Sequence, residues 1–171
     1  MGTLNYDTFP RNGTRTLGAM LGLAFPNHNI FWGEHNPKTL SKSNAITVIR
    51  PFKEVIASWF SFFPNNNFQQ GIDTYVHFYE YIKEFDVFYC SLTDLTTEPN
   101  KVLVKYAKKY DLGDAQPIDM KEYKIIMTEQ FPINYPRAAV NDRQTIFQAI
   151  EACDLSKIEP LWHNLNEKCA I

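Results

Sequence analysis

Cysteine is scarce in this chain of 171 residues: Cys90, Cys153 and Cys169 are odd in number, far apart, and without CxxC spacing. That argues against a disulfide framework or a cysteine-built zinc site, and no metal is expected. Free thiols fit a reducing compartment, so the expected location is cytoplasmic. An excess of one charge is also lacking. Seventeen Lys and Arg stand against nineteen Asp and Glu, a net charge of −2. A nucleic-acid surface carries a basic excess, so no nucleic-acid partner is expected. No run reaches the roughly 18 apolar residues of a membrane span. The start, Met-Gly-Thr-Leu-Asn-Tyr-Asp, has neither the basic nor the apolar region of a signal peptide. No membrane association is expected, and the glycosylation sequon Asn12-Gly13-Thr14 reads as accidental. GxxxxGK[ST] is absent, and with it the Lys and Ser/Thr that serve nucleotide phosphates and magnesium.

What is present is apolar and aromatic. Hydrophobic residues make up 44 % and charged residues 21 %, enough for a real core and unlike a disordered, collagenous or coiled-coil chain. The length suits one domain, 1–171, and no linker interrupts it. There are 13 Phe, 9 Tyr and 3 Trp, 15 % of the chain. Many crowd into residues 52–81: Phe52, Trp59, Phe60, Phe62, Phe63, Phe68, Tyr75, Phe78, Tyr79 and Tyr81. Most are expected in the core, with a few facing a ligand.

Strands are predicted at 4–9, 29–32, 45–49 and 86–90, and helices at 14–25, 52–63, 72–84 and 99–110. Pro64–Gln70 reads as a mobile loop. Residues 114–141 read as irregular, with a short strand at Tyr123–Met127, before helices near 142–152 and 156–168. Alternating strands and helices predict an α/β layered fold with a mostly parallel central sheet flanked by helices. The family resemblance carried by the motifs that follow implies that it is three-layer and P-loop-like, with 1–113 the nucleotide-binding core and 114–171 the irregular segment and last helices.

Two segments carry chemistry. Pro10-Arg11-Asn12-Gly13-Thr14-Arg15-Thr16 turns from the first strand into a helix. Converging N–H groups and the helix dipole make such a turn an anion site, and Arg11, Arg15, Thr14 and Thr16 add donors. A plain turn with a basic surface is the alternative. Arg50 ends the third strand, and Ser58 lies two turns into the next helix. Ligands bind at the carboxyl ends of parallel strands, and an Arg there favours a second anion over a metal. An Arg50–Glu54 pair, with Ser58 a packing residue, is the alternative.

Together these segments resemble the sulfotransferases that use 3′-phosphoadenosine 5′-phosphosulfate (PAPS). Pro10 to Arg15 is similar to that family's P-K/R-S/T-G-T-T loop. Arg50, Pro51, Val55 and Ser58 are similar to its R-x-P-x-D-V-x-x-S pattern, with Pro shifted by one position and Glu54 in place of Asp. Ser91-Leu92-Thr93-Asp94-Leu95, Glu98-Pro99 and Asp111-Leu112-Gly113 resemble its third segment. The likeness covers about residues 4–113, and its compactness is similar to reduced sulfotransferase-like proteins of bacteriophages.

The resemblance implies a role for each residue. Arg11 stabilises the leaving group. Backbone and side chains of Asn12, Gly13, Thr14, Arg15 and Thr16 hold the 5′-phosphate. Arg50 and Ser58 hold the 3′-phosphate. His35 is the base, with Glu34 as its substitute and a surface-loop histidine as the alternative; Lys38 is expected to be solvated, with help at the sulfate as its alternative. His28, His77 and His163 are assigned to structure or solvent. The family's adenine-stacking Trp is replaced by Thr16, and its closing R-K-G-type loop is missing; Arg137 or Arg143 stands in for it. The implied donor is PAPS, the product PAP (3′,5′-ADP), and the partner a small-molecule or glycan acceptor with a hydroxyl or amine. The competing readings are a non-catalytic nucleotide-binding relative and a small P-loop-type kinase.

Overall fold

A β-branched, apolar run is stable as a strand when both of its faces are covered. Strand β3 (Ala45–Ile49) meets that condition, buried at every position. In the computed structural model, which describes residues 2–61, 67–130 and 143–169, β3 lies inside a sheet of order β2-β1-β3-β4. Every pairing is parallel. The other strands are β1 (Thr3–Tyr6), β2 (Asn29–Trp32) and β4 (Val87–Ser91).

Side chains alternate between two cores. Ala45, Ile49, Val87 and Tyr89 face one, built with helices α2 (Phe52–Phe60), α3 (Phe68–Ile82), α7 (Arg143–Glu151) and α8 (Ile158–Lys168). Ile46, Val48, Phe88 and Cys90 face the other, built with α1 (Thr14–Ala24), α5 (Pro99–Tyr110) and α6 (Met120–Gln130). The fold is therefore three-layer α/β, a layered arrangement of the kind that the alternation of elements predicts. Among the described residues, no helix is long and apolar enough to cross a membrane.

Four local differences have physical causes. Tyr123–Met127 is helical, inside α6. Asp119 starts that helix: its Oδ1 accepts the Lys121 N–H at 2.8 Å and its carbonyl the Tyr123 N–H at 2.9 Å. Strong helix formers around Ile125 and Ile126 then outweigh this β-branched pair. A short helix, α4 (Leu92–Thr97), follows β4 at once, capped by the Ser91 hydroxyl. Residues 68–70 belong to α3, because Asn67 and Gln70 form a reciprocal capping box; the rest of the predicted loop, 64–66, lies outside the described residues. Finally, Phe52, Trp59, Tyr75, Phe78 and Tyr79 are all core. Phe9, Tyr75 and Tyr79 stack in series, with centroids 5.2 and 4.6 Å apart. Most of the aromatic excess of this segment thus fills the interior, while Phe60 and Phe68 are half-buried, 4.3 Å apart between ring centroids, and Tyr81 is exposed; Phe62 and Phe63 lie outside the described residues.

Strand order fixes where a ligand can sit. β1 to β2 steps one way across the sheet; β2 to β3 crosses back past β1, and β4 continues outward. The carboxyl ends of β1 and β3 therefore flank the switch point, where connections diverge and leave a crevice.

Candidate functional site

The turn after β1 is shaped by two residues at positive φ, Arg11 (73°) and Gly13 (95°). Gly13 is the N-cap of α1; a Cβ there would meet Leu92 Cδ1 at 2.7 Å. No described side chain caps this helix, and its first turn holds no acidic residue. The N–H groups of Thr14, Arg15 and Thr16 thus lack the helical acceptors that later residues have. They sit at the positive end of the helix dipole. The Thr8 and Thr14 hydroxyls share a hydrogen bond that closes the turn. Arg15 is exposed, while Thr16 lies within 3.3 Å of the Tyr123 hydroxyl. The position where the resemblance expects Trp therefore has an aromatic beside it, carried by α6.

Asn12 departs from its expected role. Its side chain is wholly buried, and Nδ2 donates to the Val48 carbonyl at 3.0 Å and to the Tyr79 hydroxyl. Its backbone N–H is held by Phe9 O at 3.1 Å. Asn12 therefore fastens the turn to β3 and α3, and neither its amide group nor its N–H is available to a 5′-phosphate.

Arg11 reaches across the switch point. Its Nε donates to Ser58 Oγ at 3.0 Å, joining two segments 47 residues apart. Ser58 is one turn beyond Glu54 on α2, and Glu54 is one turn beyond Arg50. Arg50 donates through Nε and Nη2 to Glu54 Oε2, at 2.9 and 2.7 Å. Arg143 reaches the other oxygen of Glu54 at 3.0 Å. The Arg50–Glu54 pair is thus real, and Ser58 is no mere packing residue. Two guanidinium groups share one carboxylate, which leaves the row net positive. A cavity of about 690 Å³ opens beside Arg50, lined also by Ser91, Asp94 and Lys101. Arg137 lies outside the described residues.

The loop after β2 supplies the third element. Asn36 N–H donates to Gly33 O at 3.0 Å, with Glu34 and His35 between them at φ 54° and 66°. Two successive left-handed residues inside such a bond form a type I′ turn, which favours Gly and Asn. Glu34 is exposed, and His35 is half-buried. His35 Nδ1 lies 2.9 Å from the Thr8 carbonyl. A carbonyl only accepts, so Nδ1 carries the hydrogen and the neutral ring keeps its lone pair on Nε2. The Trp32 ring stands edge-on to the imidazole, 5.5 Å between centroids, and is 42 % exposed.

Beneath this turn lies Asp7, which sequence reasoning passed over. It is fully buried, and its Oδ1 accepts the N–H of Thr8 at 2.8 Å and of His35 at 3.1 Å. Burial pushes its carboxyl up to about 6, against the opposing pull of those N–H groups and of His35. Lys38 is exposed, as are His77 and His163, while His28 packs against Phe25. Among the described residues, no three His, Cys, Asp or Glu side chains gather as a metal ion requires. Neither a comparison with protein-family models nor one with curated proteins gives a match.

Proposed function

We propose that this chain is a sulfotransferase that moves a sulfuryl group from PAPS to the hydroxyl or amine of a small-molecule or glycan acceptor. The observation that carries the reading is the Arg11–Ser58 hydrogen bond, 3.0 Å long, at the switch point of the sheet. It unites the two anion segments whose motifs resemble those of the sulfotransferases. A second observation supports it. Among the described residues, the non-glycine residues at positive φ are Arg11, Glu34, His35, Asn44 and Asp111. Asn and Asp visit that region readily, whereas other types are held there at a cost of about 1–2 kcal/mol each. Such strain gathers at functional sites. Here it falls on the three residues assigned to the chemistry.

Each group then has a task. The open N-terminus of α1 binds the 5′-phosphate with the N–H groups of Thr14 to Thr16. Arg50 and Ser58 bind the 3′-phosphate, Arg50 exchanging Glu54 for the new anion. His35 Nε2 takes the proton of the acceptor as its oxygen or nitrogen bonds to sulfur. The bond from sulfur to the phosphate oxygen breaks in line, and Arg11 stabilises the charge left on that oxygen. A sulfuryl group carries less negative charge than a phosphoryl group, so positioned side chains can do this work. Trp32, exposed next to His35, offers the acceptor an aromatic face. Trp32→Ala is expected to raise the acceptor KM about tenfold with kcat little changed, read by steady-state kinetics.

Thermal shift tests the reading. At a hundredfold excess over Kd, 3′,5′-ADP is expected to raise Tm by about 5–10 °C, well beyond the effect of ADP with magnesium. In Arg50→Ala, 3′,5′-ADP affinity is expected to fall about 10- to 100-fold, since hydrogen bonds to charged groups are worth about 1.5–3 kcal/mol. If ADP with magnesium stabilises more, the chain is a kinase-like protein. A shift with 3′,5′-ADP but no turnover favours a non-catalytic relative, a reading that the engagement of Arg50 by Glu54 supports.

A further inference from the structure

We propose that Asp7 is a positioning residue for His35: its buried carboxylate holds the turn that presents the imidazole and stabilises the imidazolium formed when His35 accepts a proton. The chemistry rests on the sulfotransferase reading; the pair itself rests on geometry.

Asp7 Oδ1 holds two N–H groups, one of them the backbone N–H of His35, and lies 3.9 Å from His35 Nδ1. The Nδ1–H bonds to Thr8 O, so Thr8 sets the tautomer while Asp7 fixes the backbone and supplies the charge. Asp7 Oδ2 is buried with no hydrogen-bond partner among the described residues. Gly33 presses on it so closely that a Cβ would lie 2.5 Å from Oδ2 and 2.0 Å from Thr39 Oγ1. The other titratable neighbour is Tyr6, whose phenol is raised by its own burial and then by Asp7.

A buried carboxylate with one orphaned oxygen is costly. The sign follows from its titration. The folded carboxyl titrates near 6 against 3.8 ordinarily, so the folded state holds the proton more tightly. Stability falls as pH rises from about 4 to about 6 and stays lowered above that. An asparagine would accept the same N–H groups without carrying a charge into the interior. The fold keeps an acid here, and the group beside it is His35. When the acceptor's O–H or N–H proton passes to Nε2, the ring becomes a cation next to Asp7 and later gives the proton to water.

The experiment is Asp7→Asn in the full chain. We expect kcat to fall at least tenfold, 3′,5′-ADP affinity to stay within twofold, and Tm at pH 7 to equal or exceed that of the parent. A purely structural role predicts a lower Tm, and a lower Tm overturns the proposal. So does an unchanged kcat. An independent readout needs no turnover: acylation of His35 by diethyl pyrocarbonate at pH 8, followed by peptide mass spectrometry. The His35 rate is expected to fall about threefold, as a less basic ring is a weaker nucleophile, while His77 and His163 keep theirs. An unchanged or faster His35 rate overturns the pairing. A slowed rate in a chain without sulfuryl transfer sustains the pairing and sinks the reaction reading alone.

Discussion

Replacing His35 with alanine is expected to lower sulfuryl transfer by about 10²–10⁴-fold in kcat, the range of a lost general base, and to leave 3′,5′-ADP affinity within a factor of two. The two quantities separate because they belong to different elements. His35 sits after β2 and is tied to Asp7 and Thr8 through its backbone N–H and Nδ1. The anion-binding groups sit on the β1 turn, the N-terminus of α1, the end of β3 and α2. A change at His35 therefore removes the proton acceptor and, on the β1 turn, only the bond from Nδ1 to the Thr8 carbonyl, leaving the phosphate-binding groups themselves in place. His35→Asn is the companion variant. Asparagine suits the left-handed second position of a type I′ turn better than histidine, so the fold is retained and the base is still lost. Isothermal titration with 3′,5′-ADP reads the binding, and a coupled assay reads kcat. Turnover retained in both variants would move the base to Glu34, its neighbour in the same turn, and Glu34→Gln would then carry the loss.

How far the sequence revealed this site depended on the distance each contact spans. Strands β2 and β3 and helix α5 coincide with their predicted bounds, because periodicity and Pro99 are local signals. The Arg50–Glu54 pair was readable as one helical turn. The inward turn of Asn12 was not: its partners are 36 and 67 residues away. Asp7 was missed for the same reason, since a carboxylate gains meaning only when a loop 28 residues later folds over it. Trp32 went unremarked because four residues, NIFW, do not say that their strand is an edge. Only the sheet order leaves β2 with one neighbour among the described residues and its Trp exposed. Arg11 and Ser58, read from separate motifs, meet at the switch point of the sheet. The direct bond between them was beyond the sequence, as it needs the β1–β3 adjacency.

That bond sets the second large effect. Arg11→Ala is expected to cost about 10²–10³-fold in kcat, the loss seen when one preorganised donor to a developing charge is removed. Arg11→Lys recovers only part of it. A guanidinium can give Nε–H to Ser58 and still present its two amino groups in a rigid fork; an ammonium on a flexible stem cannot hold both partners in fixed geometry. Ser58→Ala weakens 3′,5′-ADP and also removes the partner of Arg11 Nε, so its cost is expected to shrink in an Arg11→Ala background. A double-mutant cycle on kcat/KM measures that coupling. Arg11→Gly separates function from folding. Glycine occupies φ 73° without the penalty of about 1 kcal/mol or more that a Cβ brings, so Tm is expected to hold or rise while kcat collapses. A chain that gains stability as it loses turnover has been keeping a strained arginine for its chemistry. If Arg11→Gly works as well as the parent, Arg11 only shapes the turn, and the leaving-group charge must be met by the N–H groups of α1.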